Sequence, residues 1–170
     1  MELAYFVSLL PKGARILDAG CGAGVPVAKF LVDRGYSVTG IDFSTSMINL
    51  ACQQVPGAEF LEGDMTHLTF PANSFDGVVS TYAIIHVPKE KHTTIYQNFY
   101  RVLKPGGILF FSTGPDAWEA TEDYMGTTMF WSHPQKETSL ALVKQAGFEI
   151  IRDEVLERGG ETHYWIFARK

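Results

Sequence analysis

Short runs rich in β-branched and aliphatic residues alternate along this chain with segments of helical periodicity, and few architectures accommodate that order. Parallel neighbours cannot be joined by a tight turn and need a crossover, which the intervening helices supply. The predicted strands are Arg15 to Ala19, Tyr36 to Ile41, Glu59 to Glu62, Phe75 to Thr81 and Ile108 to Thr113. Val25 to Arg34 reads as a helix, with Pro26 near its first turn and Gly35 to end it. Ser44 is placed to cap the next helix, whose Met47, Ile48, Ala51 and Val55 share one face. A third helix, about Lys89 to Leu103, carries Ile95, Phe99, Val102 and Leu103 as its apolar stripe. Lys104-Pro105-Gly106-Gly107 is expected to stop it and start the fifth strand.

The end of the chain breaks the pattern. A last helix, about Glu137 to Ala146, stops at Gly147, and two strands follow, Phe148 to Val155 and Thr162 to Ala168. Only a short turn around Gly159-Gly160 separates them, so they form an antiparallel hairpin. The expected fold is therefore α/β and doubly wound: a seven-stranded sheet, mostly parallel, with an antiparallel terminal hairpin and helices on both faces. The plain dinucleotide-binding arrangement lacks that ending.

At 170 residues the chain suits one domain. Residues 1–13 begin with a short amphipathic helix carrying Leu3, Phe6, Val7 and Leu10, stopped by Pro11 and Gly13. The net charge of −5, with no block of consecutive basic residues, argues against nucleic acid as the main partner. Cys21 and Cys52 form neither a disulfide framework nor a metal cluster of familiar spacing, so no metal is expected. No apolar run is long enough to cross a bilayer, so no membrane partner is expected. The opening MELAYFVSLL has Glu2 and no basic flank, unlike a secretion signal, and the expected location is cytoplasmic.

The chemistry concentrates in Ile16 to Gly24, ILDAGCGAG, where Gly20, Gly22 and Gly24 stand between a strand and a helix. Glycines there permit a sharp turn and let a ligand approach bare backbone, while the turn aims a helix N-terminus at it. Asp18 precedes the first glycine, and Asp42 ends the second strand, where a carboxylate can accept hydrogen bonds from ribose hydroxyls. A nicotinamide site competes with this reading, but its fingerprint is GxGxxG and the spacing here is GxGxG. Asp64-Met65, just after the third strand, adds a carboxylate and an apolar contact for a base ring.

The runs ILDAGCGAG, GIDFSTSMI, EGDM, FDGVVSTYAIIHV and RVLKPGGILFFS, in this order, make the chain resemble a class I S-adenosylmethionine-dependent methyltransferase from Ala14 onward. The resemblance implies a Rossmann-like sheet, S-adenosylmethionine as cofactor, and transfer of its methyl group to a small-molecule acceptor. It implies that Gly20, Cys21 and Gly22 line the methionyl part and that Asp18 orients its ammonium group. It places Asp42 on the ribose, Phe43 on the adenine, Asp64 at the adenine amino group and Met65 against the ring, with Thr81 near the methionyl end. Met47 is a further cofactor-contact candidate, weighed against plain core packing, and Cys21 is weighed as a small turn residue rather than a nucleophile.

Methyl transfer from a sulfonium is an in-line displacement that needs a base only when the acceptor arrives protonated. His86 and Tyr82 follow the fourth strand, where the carboxyl edge of the sheet opens, and are the catalytic candidates. His86 is weighed as a base or as a turn residue, and Tyr82 as a substrate contact or as core. Residues 114–134 carry Trp118, Tyr124, Met125, Met129, Phe130, Trp131 and His133 in a stretch read as irregular, an aromatic lid over the acceptor or an excursion packed on the core. Relatives carry additional N-terminal helices over the cofactor. The cover here is expected from the short helix and the lid, or from another subunit such as a second copy. A domain that binds the cofactor without catalysis, as a regulatory subunit, is the alternative.

Overall fold

The computed structural model describes residues 2–124, 126–158 and 160–170. In chain order, α1 is Glu2–Ser8, β1 Arg15–Ala19, α2 Val27–Val32, β2 Ser37–Asp42, α3 Thr45–Gln54, β3 Glu59–Glu62 and β4 Phe75–Ser80. Two 3₁₀ turns, Ile84–His86 and Lys89–Lys91, lead into α4, His92–Val102. Then come β5 Leu103–Thr113, β6 Trp118–Tyr124, β7 Thr127–His133, α5 Lys136–Gln145, β8 Glu149–Arg158 and β9 Glu161–Arg169.

Seven strands make one sheet in the order β3-β2-β1-β4-β5-β9-β8. The first five in sequence pair in parallel, whereas β9 runs antiparallel between β5 and β8. Successive strand residues face opposite sides, which divides the apolar runs between two cores. Leu17, Val78, Leu109 and Ile166 join Ile95, Phe99 and Val102 of α4 and Val143 of α5. Ile16, Val79, Phe110 and Phe167 join Phe6 of α1, Leu31 of α2 and Ile48 of α3 on the other side. Coverage on both faces is why the central strands read as near-continuous apolar runs instead of alternating ones. Each such side chain contributes about 1.5–3 kcal/mol on burial. At the antiparallel seam, Phe110 stacks on Phe167 with ring centroids 4.4 Å apart.

Two expectations are corrected. The Lys104 to Gly107 segment does not separate α4 from β5 but lies inside the strand. Phe75 pairs with Leu103 and Gly77 with Ile108, so β5 bulges there, with Gly106 at φ 78°. Residues 114–134 are not irregular either: β6 and β7 form a separate two-stranded antiparallel sheet, with Trp118 opposite His133 and Tyr124 opposite Thr127. β6 is almost wholly exposed and β7 only partly buried, and neither shows the period-two apolar pattern that a buried face would impose, which hid them. Met125 in that segment, and Gly159 of the terminal turn, lie outside the described residues. Among the described residues, no helix is long and apolar enough to cross a membrane.

Candidate active site

The strand order reverses between β1, which neighbours β2, and β4, which leads on to β5. Connections diverge at that point and leave a crevice at the carboxyl ends of the strands. A cavity of about 490 Å³ occupies it, a size suited to a small molecule. Gly20, Gly22, Asp42, Phe43, Asp64, Met65, Tyr82 and His86 all line it.

The glycine turn is shaped by its neighbours. Gly20 has φ 79°, and a Cβ built there would lie 2.2 Å from the Ala83 Cβ. Only a bare backbone lets the end of β1 abut the segment after β4. Gly22 is different, because its φ is 51° but nothing lies within 4 Å of a Cβ there, leaving open space on the cavity side. The Gly20 and Cys21 N–H groups donate to the Ile41 carbonyl at 2.8 and 2.9 Å. The Gly22 N–H donates to Asp42 Oδ2 at 2.9 Å, and the Ser44 N–H donates to Asp42 Oδ1 at 3.0 Å. Asp42 therefore ties the turn to the start of α3. Each of its oxygens accepts one bond and retains capacity for another.

Asp18 lies behind the turn, 1% exposed, and its Oδ2 has no hydrogen-bond partner. Burial, reinforced by the negative charge of Asp42, raises its pKa to about 7. A carboxylate held this dry is a standing demand for a cation or a donor. The same burial pushes the Cys21 thiol up, with Asp18 and Asp42 adding to the effect, so Cys21 remains a neutral turn residue.

The other wall mixes polar and apolar groups. Phe43 is 80% exposed at the rim, a large ring without a packing partner in either core. Asp64 accepts from the Thr66 N–H through Oδ1 at 2.7 Å, and Met65 lies buried beside it. Asp18, Cys21, Met47 and Thr81 are not among the lining residues, and Asp18 stands behind the glycine turn, whose Gly20 and Gly22 are. Met47 is 40% exposed on α3 and joins neither core, so the core-packing reading of it also fails. After Thr81, it is Tyr82 and Ala83 that reach the cavity.

Tyr82 and His86 form a partition. Tyr82 takes a left-handed φ of 55°, held by its N–H donating to Ser112 Oγ at 2.8 Å. Its half-exposed ring stands edge-on to His163 and Trp165, with centroids 4.7 and 5.6 Å away. His86 Nδ1 lies 2.8 Å from the Phe130 carbonyl, and since a carbonyl only accepts, Nδ1 carries the hydrogen. In the neutral ring, Nε2 is then the free acceptor. Ser132 strengthens the same junction, accepting from the Lys89 N–H at 2.9 Å and donating to Glu119 at 3.0 Å. His86 is thus more than a turn residue: it anchors the β6–β7 hairpin.

A second cavity, of about 450 Å³, opens between that hairpin and the start of β9. Trp118, Tyr124, Trp131 and His133 line it, so the aromatic wall read from the sequence encloses real space, although Met129 and Phe130 take no part in its lining. Sequence reasoning missed Ala83 and Lys91 in the first cavity and Glu161 to His163 in the second. Ala83 bears no chemical signature, and the last three are brought in only by the return of β9.

Comparison with known proteins settles the lineage. A family model described as a methyltransferase domain matches residues 16–107, more than half of the chain. The chain belongs to this methyltransferase family. A Bacillus subtilis protein named "Putative methyltransferase YqeM" is 32% identical over 168 residues, covering 91% of this chain and 67% of its own length. An S-adenosylmethionine-dependent methyltransferase of known structure from Methanosarcina mazei is 29% identical, with a TM-score of 0.83, covering 96% of this chain and 95% of its own. A Burkholderia thailandensis 1,6-didemethyltoxoflavin-N1-methyltransferase, solved with its acceptor and S-adenosylhomocysteine, shares the fold at 20% identity and a TM-score of 0.80. It covers 99% of this chain and 76% of its own. Several curated relatives are much longer, and the chain spans 60% of one from Oceanobacillus iheyensis. As a member of this family, the domain is an S-adenosylmethionine-dependent methyltransferase with that molecule as its cofactor.

Proposed function

We propose that the domain methylates a small-molecule acceptor, with the 490 Å³ cavity as the cofactor seat and the β6–β7 side as the acceptor seat. The observation that carries this reading is the buried Asp18 carboxylate, whose Oδ2 has no hydrogen-bond partner, behind a glycine turn that opens onto the cavity. The cofactor is a molecule with an ammonium group at one end and a ribosyl base at the other, and the donors and acceptors present match it in that order. Asp18 would orient the ammonium group, and Gly20 and Gly22, with the Cys21 backbone, would flank the methionyl chain. Asp42 would accept from the ribose, while Phe43 and Met65 would cover the adenine and Asp64 would meet its amino group. Thr81 is left with at most a backbone role, because Tyr82 and Ala83 occupy the wall beyond it.

When bound, S-adenosylmethionine supplies a methyl group already activated by its sulfonium. The residues of this chain have to hold it, exclude water and align the acceptor. His86 offers Nε2 as a proton acceptor for an acceptor that arrives protonated, and Tyr82 limits the approach from the second cavity. The hairpin serves as the lid, pinned at His86 and Ser132.

Isothermal calorimetry with S-adenosylhomocysteine tests the cofactor seat. Asp42→Ala should weaken binding by about 1.5–3 kcal/mol, the value of hydrogen bonds to a charged group, with further loss from freeing the Gly22 N–H. Unchanged affinity in the folded variant would remove the ribose assignment.

A further inference from the structure

The second cavity has an unusual combination of walls. Three rings, Trp118, Tyr124 and Trp131, line a space of about 450 Å³, and Trp118 and Tyr124 are 50% and 45% exposed. Rings of this size are normally packed away, and here a regular hairpin holds them around an opening instead. Trp131 is fixed by Tyr124, edge-on with centroids 5.7 Å apart, and by His86 at 4.5 Å. The cage is therefore built from residues that brace one another and not from a loose surface patch.

The polar part of the lining has one sign. Asp116, Glu122 and Glu161 contribute carboxylates, and no lysine or arginine is among the lining residues. The charge balance is not cancelled by the imidazoles. Burial holds the His133 pKa below its ordinary value, so this ring is neutral near pH 7, and its Nδ1 is buried without a partner. His163, 6% exposed, lies 3.2 Å from Glu161 and satisfies one carboxylate only. Neither Asp116 nor Glu122 has a lysine or arginine partner among the described residues. The electron-rich faces of indole and phenol rings attract a cation, and nearby carboxylates add to that attraction while disfavouring an anion.

The position matters as much as the chemistry. Residues 82–86 are shared between the cavities: Tyr82, Ala83 and His86 face the first and Ile85 the second. The Tyr82–His163 and His86–Trp131 ring pairs form the rest of the wall. A molecule seated in the second cavity therefore meets Ile85, Trp131 and His163, and the latter two rings back directly onto His86 and Tyr82 of the first cavity.

We propose that the aromatic and acidic cavity between the β6–β7 hairpin and β9 binds an organic ammonium group, the cationic head of the methyl acceptor. The acceptor role rests on the cofactor seat proposed for the first cavity, whereas the cation preference rests on the second cavity alone. The acceptor is then a small amine-bearing or quaternary ammonium compound whose reacting end extends past Tyr82 toward the first cavity. An anionic or wholly apolar acceptor does not fit these walls.

Choline and its uncharged isostere 3,3-dimethylbutan-1-ol separate charge from shape, and the tryptophan indole resonances report where each binds. Trp118 and Trp131 line the cavity, while Trp165 is 4% exposed behind Tyr82 and His163 and should shift less than either. Choline should shift the Trp118 and Trp131 indole signals saturably, and the alcohol should bind about tenfold more weakly or worse. Glu122→Gln should weaken choline several-fold and leave calorimetric affinity for S-adenosylhomocysteine unchanged. Equal affinity for choline and the alcohol would overturn the cation preference, as would shifts confined to Trp165 or no saturable shift at all. The comparison of the two probes on the wild-type protein decides the matter even where the variant fails to fold. Choline failing while S-adenosylhomocysteine binds overturns the cation site. S-adenosylhomocysteine failing overturns the cofactor reading, and with it the acceptor role of this cavity.

Discussion

Replacing Asp18 by asparagine should change how stability depends on pH. The carboxyl is 1% exposed, with its pKa raised from 3.8 to about 7, first by burial and then by the charge of Asp42. Between about pH 4 and pH 7 the folded protein retains a proton that the unfolded chain has released. Stability therefore falls as pH rises through that window and is level above it. A pKa difference of this size corresponds to about 4 kcal/mol lost between the two ends. The amide of Asp18→Asn does not titrate, so that loss disappears in the variant. It brings new donors whose burial costs about 1–3 kcal/mol, but this offset is the same at every pH. The test is a set of thermal melts from about pH 4.5 to pH 8.5 on both proteins. About 3 kcal/mol of the loss falls within this range, and for a domain of this length each kcal/mol moves Tm by about 2–4 °C, so the variant should gain roughly 6–12 °C on wild type across it. The gain should be accompanied by at least about tenfold weaker binding of S-adenosylhomocysteine, since a neutral amide cannot form an ion pair with its ammonium group. Melting profiles that differ only by a constant offset would refute the claim that Asp18 is the buried titrating group.

Gly20→Ala should lower both Tm and S-adenosylhomocysteine affinity, because the new methyl meets the Ala83 Cβ at 2.2 Å, whereas Gly22→Ala, facing open space, should cost only the strain of its positive φ. Equal melting losses in the two variants would show that packing against Ala83 is not what demands a glycine. His86→Asn retains a donor for the Phe130 carbonyl and deletes Nε2, so turnover should fall about a hundredfold with Tm nearly unchanged, and less so at high pH where the acceptor ionises unaided. Wild-type turnover and pH profile in that variant would exclude a base role. Hydrogen exchange should show added protection over residues 118–124 and 127–133 when S-adenosylhomocysteine binds, and identical exchange with and without it would mean that the hairpin is no cofactor-linked lid.

The elements of the main sheet and the glycine-turn edge of the crevice were legible in the sequence. Strand and helix periods, the GxGxG turn and the acids Asp18, Asp42 and Asp64 are local signals, whereas the strand order that opens the crevice between β1 and β4 came from the structure. The short connection between β8 and β9 was equally legible, because no parallel crossover fits into it. The β6–β7 side of the molecule was legible only in the tertiary structure. β6 is almost wholly exposed and β7 buries only Ser132 outright, so no apolar period marks them, and their place is set by contacts from His86 and Ser132 to residues more than forty positions away. The second cavity likewise exists only because β9 returns beside β5 and carries Glu161 and His163 to rings from another part of the chain. The burial of Asp18 has the same origin. A carboxylate in a short motif reads as a ligand group, but only the closing of two cores around β1 removes its water and turns it into a group that titrates near neutral pH.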